Sequence, residues 1–355
     1  MKTAISKTMR ALQYSEPKKH KIVEVPVPEI RENDVLIKVK ACGVCGTYLH
    51  IHEGEFIAKF PLIPGHETVG IVAAIGPKVK DFEIGERVVA DNSELCGTCF
   101  YCRHGDELFC ENFEAHGSIS QKRIRGPSKA DRDVSFSAGR VFKIKNLSDV
   151  NATLLEPASC AAHGPDKIAP KMGSSVLIFG AGPAGLVLAQ MLRQNGGCNV
   201  VVVAPGDLKM DLAQKLGAGD KYIELSRESP QAQFDALKAE NSYGFDIVVE
   251  TTGDQEILEV SIDYVRRGGK LVVFGVYSSE VRVSWSPAKI FGDEITILGS
   301  FSETYYKFPA AVDYLDSGKV KVGGIVNKVY KIEQWEECLE AMRNKTAIKA
   351  AITFD

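Results

Sequence analysis

Cys96, Cys99, Cys102 and Cys110 fall within fifteen residues, and the first three recur at every third position. One short loop can therefore turn three sulfurs toward one point, and the gap before Cys110 is long enough for a turn. This spacing meets the demand of a tetrahedral thiolate site for zinc, and a closed site of four thiolates is structural. The alternatives are a disulfide pair or chance clustering of loop cysteines. Disulfides need an oxidising compartment, to which nothing else in the chain points. A second group offers a thiolate, an imidazole and a carboxylate: Cys45 in Cys42-Gly43-Val44-Cys45-Gly46-Thr47, then Gly65-His66-Glu67. All three are competent zinc ligands. His66-Glu67 is not a zincin motif, because position 70 is glycine. By spacing alone the group is only a candidate, since a lone histidine beside a glutamate is more often a satisfied structural pair.

A third motif binds rather than reacts. Gly180-Ala181-Gly182-Pro183-Ala184-Gly185 fits the GxGxxG pattern, follows an apolar strand and opens a helix. Gly180 permits the tight turn, Gly182 lets a pyrophosphate approach the backbone, and Gly185 lets helix and strand pack closely. Pro183 and Ala184 lie at the helix N-terminus, which faces the anion. Without a nucleotide the same run is a plain tight turn. The next strand ends at Ala204-Pro205-Gly206, without the carboxylate that normally accepts hydrogen bonds from the adenosine ribose. Asp207 comes late, and Lys209 could pair with a 2′-phosphate or be an ordinary solvated helix residue. The pattern favours NADP over NAD.

The elements that must carry these residues change character near residue 155. Before it, short strand-like runs such as Val35-Leu36-Ile37-Lys38-Val39 and Val69-Gly70-Ile71-Val72 are separated by Gly, Pro and Asn. After it, the apolar strands 175–179, 199–203, 245–250 and 270–274 alternate with helical patterns, which predicts a parallel, doubly wound sheet of an α/β fold. From about Gly299 the chain reads as a helix, then strands, then an amphipathic helix at 332–344. Its 355 residues suffice for two ordinary domains. A net charge of −3 makes no electrostatic case for nucleic acid, and no apolar run approaches a bilayer span. Met1 to Arg10 is polar and does not read as a secretory signal. The nine cysteines therefore read as cytosolic thiols and metal ligands.

Five stretches stand in an order that is specific as a set: Cys45-Gly46-Thr47-Tyr48-Leu49-His50, Gly65-His66-Glu67, the four-cysteine lobe, Glu156-Pro157, and Gly180 to Gly185. On these the chain resembles the zinc-dependent medium-chain dehydrogenases of the polyol (sorbitol, xylitol, arabinitol) and threonine dehydrogenase branch. The resemblance implies a GroES-like, β-rich catalytic domain at 1–155 and 300–355, with a Rossmann coenzyme domain at 156–299 inserted. It also implies an active site in the cleft between them and a homodimer or homotetramer; the cysteines and the polar start make the expected location cytoplasmic. Carried over, Cys45, His66 and Glu156 would hold a catalytic zinc, with Glu67 beside it, ligating directly or through water. Thr47 would hydrogen-bond the substrate hydroxyl, and His50 would pass its proton toward solvent. A glutamate at 156 is similar to the polyol branch, where the simple-alcohol branch has cysteine. His50, like His52, His104 and His163, can instead be an exposed loop histidine.

The implied reaction moves a hydride between a secondary hydroxyl of a polyol and NAD(P), giving a ketose. A simple alcohol or aldehyde, threonine, or cofactor binding without turnover are the other readings. Two departures from the family pattern stand out. Tyr48 replaces the usual aspartate, so it brings no negative charge near the zinc histidine at neutral pH. The stretch 118–137 is basic and poor in strand pattern where the family has a strand beside the catalytic zinc, and it reads as a solvated loop.

Overall fold

The computed structural model describes residues 5–55, 58–117, 133–302 and 305–354. Two compact units divide the chain, one from residues 1–156 and 304–355, the other from 157–303.

The first unit is built on a seven-stranded sheet whose pairing sets up the chemistry. Strand Asp34–Val44 runs antiparallel to Thr68–Ile75, with Cys42 opposite Thr68. Its end therefore delivers Cys45 beside His66 and Glu67, and the Gly43 N–H closes the junction by donating to the Glu67 carbonyl at 3.0 Å. On the other edge Asp34–Val44 pairs antiparallel with Lys349–Thr353, Ala350 facing Val44. The C-terminal strand thus brings Lys349 to the same corner. Val35, Ile37 and Val39 share one face of the strand and pack with Tyr14, Tyr48, Ile51, Trp335 and Leu339 in the core.

Within the stretch expected to be a loop, residues 118–132 lie outside the described residues, but Asp133–Ser137 forms a strand antiparallel to Asp34–Val44. The expectation fails there because pairing with an apolar neighbour overrides weak local propensity.

The second unit is a six-stranded parallel sheet in the spatial order 221–225, 199–205, 175–179, 245–250, 265–273, 296–299. The chain winds one way from strand Ser175–Phe179, then returns to its other side at Phe245–Glu250. The strand order reverses at the carboxyl end of Ser175–Phe179, which is where open parallel sheets bind ligands. The expected doubly wound sheet is present.

Candidate active site and metal centres

The loop after Asp34–Val44 and the residues before Thr68–Ile75 bring one ligand atom each from Cys45, His66 and Glu67 to within 4.8 Å of one another. His66 and Glu67 are buried. Gly43 makes room: a Cβ there would lie 1.8 Å from Glu67 Oε2. Lys349 Nζ donates to Glu67 Oε1 at 2.5 Å, both side chains almost wholly buried, while Oε2 has no hydrogen-bond partner. Glu156, in the first turn of helix Leu155–Ile168, stands outside the tight trio yet feels it. Desolvation, chiefly, pushes its carboxyl up to about 8. The neighbouring Glu67 and Cys45 add to the rise, and His66 and Lys349 oppose it. Three acidic donors converge on one cationic side chain and leave a buried carboxylate oxygen orphaned. That imbalance fits a divalent cation, so the donor set suits zinc.

Tyr48 proves to be part of this centre. Its hydroxyl lies 2.5 Å from His66 Nδ1, which leaves Nε2 for a ligand. Burial, and then the negative neighbours Cys42, Cys45, Glu67 and Glu156, hold the phenol well above its ordinary value, so it stays neutral. Thr47 Oγ1 sits 3.3 Å from Cys45 Sγ. His50 is on the exposed side of helix Thr47–Glu53, its Nδ1 3.0 Å from Glu55. For two histidines the exposed-loop alternative does not hold. His52 is buried on that helix, and His163 is buried on helix Leu155–Ile168, because both sit on core-facing turns. His104 is exposed, its Nδ1 2.7 Å from the Phe100 carbonyl.

The four-cysteine lobe closes locally. Ligand atoms of Cys96, Cys99, Cys102 and Cys110 lie within 4.8 Å of each other. The Cys96 and Cys110 sulfurs are 3.6 Å apart, against about 3.8 Å for the edge of a tetrahedron with Zn–S near 2.3 Å. Backbone N–H groups of Thr98 and Cys99 point at Cys96 Sγ and draw its thiol down to about 5, so a thiolate stands ready for metal. Four thiolates leave no position for substrate. Cys99→Ala is expected to lower the thermal midpoint or the yield of folded protein far more than turnover per folded molecule. Calorimetry beside active-site-normalised kinetics checks this, and a stable variant with chemistry alone abolished would refute it.

In the second unit, Gly180 has φ 111°, and a Cβ there would meet Thr251 Oγ1 at 2.5 Å. Gly182 caps helix Pro183–Gly196 with no side-chain hydrogen bond, and nothing lies within 4 Å of where its Cβ would be. Unfilled N–H groups and open space at the strand-order reversal fit a dinucleotide pyrophosphate. Ala204 is buried in strand Asn199–Pro205. Asp207 is already engaged: it caps helix Leu208–Leu216 through the Lys209 N–H at 2.9 Å and pairs with Arg227 at 2.5 Å. Arg227 escaped sequence reasoning because it follows the neighbouring strand, Lys221–Leu225. Glu224 Oε2 would lie 2.8 Å from a Cβ at Gly206.

A parallel nucleotide-type sheet and a cysteine–histidine–glutamate centre are the marks of a metal-dependent dehydrogenase. The alcohol dehydrogenase GroES-like domain family matches residues 31–132, and the zinc-binding dehydrogenase family matches 183–317. D-arabinitol dehydrogenase 1 of Uromyces fabae is 52% identical over 97% of this chain and 97% of its own length. Sorbitol dehydrogenase of Bacillus subtilis (strain 168) is 31% identical, covering 96% and 95%. A crystal structure described as a zinc-binding dehydrogenase of Sinorhizobium meliloti 1021 bound to NADP superposes with a TM-score of 0.87 at 27% identity, over 98% of this chain and 100% of that one. The chain belongs to the zinc-binding alcohol dehydrogenase family. Among the described residues no helix is long and apolar enough to cross a membrane.

Proposed function

We propose that this dehydrogenase is a zinc-dependent, NAD(P)-linked polyol dehydrogenase that moves a hydride between a secondary hydroxyl of a sugar alcohol and the nicotinamide, giving a ketose. The observation that carries the reading is the Cys45–His66–Glu67 centre with Glu156 beside it, in a chain so close to a D-arabinitol dehydrogenase. Cys45, His66 and Glu156 would hold the catalytic zinc, with Glu67 alongside, and Cys96, Cys99, Cys102 and Cys110 a structural one. A catalytic zinc supplies Lewis-acid chemistry that acidifies the substrate hydroxyl. Tyr48 fixes the imidazole of His66, and Lys349 balances Glu67. Thr47 would take a hydrogen bond from the substrate hydroxyl, and His50 would hand its proton to solvent. In the second unit, the Gly180–Gly185 turn and the N-terminus of the helix it opens hold the pyrophosphate through backbone N–H groups. The catalytic domain is then 1–155 with 300–355, and the coenzyme domain 156–299.

NADP is the favoured cofactor. The strand Asn199–Pro205 ends at Ala204-Pro205 without an acid, and Lys209 and Arg227 supply positive charge nearby. NAD is the second reading, favoured by the Glu224 carboxylate that approaches Gly206. A cytoplasmic homo-oligomer completes the proposal, and cysteines used as metal ligands suit a reducing compartment.

One kinetic panel tests both proposals: D-arabinitol, xylitol, sorbitol, ethanol and threonine, each with NAD and NADP. A site built to pair several hydroxyls rejects substrates lacking them by about 10⁴-fold in kcat/KM, so the best polyol should lead by that order. Ethanol or threonine equalling every polyol would overturn the substrate class. One lysine or arginine at a partly exposed phosphate is worth about 1 kcal/mol, so the NADP preference should be several-fold. A clear preference for NAD would overturn the cofactor assignment.

A further inference from the structure

Away from the centres already described, three elements of the first unit converge on a second pair of imidazoles. His20 lies on strand Lys19–Pro26, His52 on helix Thr47–Glu53 and Glu336 on helix Trp335–Arg343. One ligand atom from each lies within 4.8 Å of the others. His20 Nε2 and Glu336 Oε1 are 3.3 Å apart. A tetrahedral zinc with bonds of about 2.0–2.1 Å has nitrogen–oxygen edges of about 3.3–3.4 Å. His52 is buried and its Nδ1 is 2.9 Å from the Tyr14 hydroxyl, which in turn accepts from Trp335 Nε1 at 2.7 Å. This is the outer hydrogen bond that orients a ligating imidazole and leaves Nε2 available. His20 Nδ1 is buried with no hydrogen-bond partner.

A metal bound through His20 Nε2, Glu336 and His52 would join ligand atoms that three separate elements already hold together. We propose that His20, His52 and Glu336 form a further metal site that takes a divalent transition metal, zinc first, and staples strand Lys19–Pro26 to helix Trp335–Arg343. Two imidazoles and a carboxylate suit zinc over magnesium or calcium, which prefer oxygen. Glu336 is mostly exposed, so the fourth position opens to water. None of the three residues belongs to the catalytic or cysteine centres, so the site adds stability rather than chemistry.

The test uses the enzyme holding its resident metals, with zinc chloride as the probe. Equilibrium dialysis should find one further zinc per chain, and zinc at about 100 times its Kd should raise the thermal midpoint by about 5 °C. His20→Gln and Glu336→Gln remove ligands from half-buried and exposed positions. Loss of a direct ligand costs at least as much as loss of an outer partner, so each should weaken this binding by about 100-fold and remove the thermal shift. Both should keep the resident zincs and polyol turnover, which shows that they fold. Uptake and thermal shift undiminished in both variants, or no uptake beyond the resident zincs in the unmodified enzyme, would overturn the proposal.

Discussion

Cys45→Ser should lose about one zinc per chain and at least about 10³-fold in kcat/KM while remaining folded. Lewis-acid activation is worth several kcal/mol of barrier, and each 1.4 kcal/mol is tenfold. Serine is isosteric, but its hydroxyl is not ionised at neutral pH and makes a far poorer ligand than a thiolate. The remaining donors, His66 and Glu67 with Glu156 nearby, lack the soft thiolate that binds zinc tightly. Metal analysis separates this outcome from general damage, because the four-cysteine lobe should still hold its own zinc. A variant with both zincs and full activity would remove Cys45 from the centre.

The second large effect concerns stability. Lys349 and Glu67 form an ion pair in which both side chains are almost wholly buried. Lys349→Met would leave Glu67 with both oxygens unpaired in the interior, since Oε2 already has no partner. Removing one member of such a pair costs about 3–5 kcal/mol, whereas replacing both by apolar or neutral groups is often near neutral. Denaturant unfolding of Lys349→Met should show that loss, and Lys349→Met combined with Glu67→Gln should recover much of it. The pH dependence has a definite sign. Although burial opposes it, the charges of Glu67, Cys45 and Glu156 hold the Lys349 ammonium above its ordinary 10.5. Its contribution is therefore complete below 10.5 and is lost only as pH rises through the higher folded value. A single variant costing under about 1 kcal/mol would mean that water or movement relieves Glu67.

The readability of these features follows their distance along the chain. The cysteine lobe and the Gly180 turn are local, so spacing alone dictates which atoms meet. The strand-and-helix alternation from residue 175 onward likewise reads directly as a wound parallel sheet, because apolar runs bounded by glycine have few other folds. The strand Asp133–Ser137 was not legible, since its pairing partner lies about a hundred residues upstream.

The active centre divides in the same way. Residue types at 45, 66, 67 and 156, together with family resemblance, named the donors from sequence alone. Nothing in the order of residues marked Lys349 as the counter-charge of Glu67, 282 positions away. The antiparallel pairing of Lys349–Thr353 with Asp34–Val44 decided that. Sequence showed that Tyr48 lacks the expected charge; only packing gave it a task, by burying it against His66 Nδ1. His20, His52 and Glu336 carry no motif, and three separate elements had to pack around Tyr14 and Trp335 before their ligand atoms came together. Short loops fix geometry through covalent reach, so sequence determined the local sites. Long-range strand pairing and core packing fix it through the burial of many distant residues at once, which only the tertiary structure could decide.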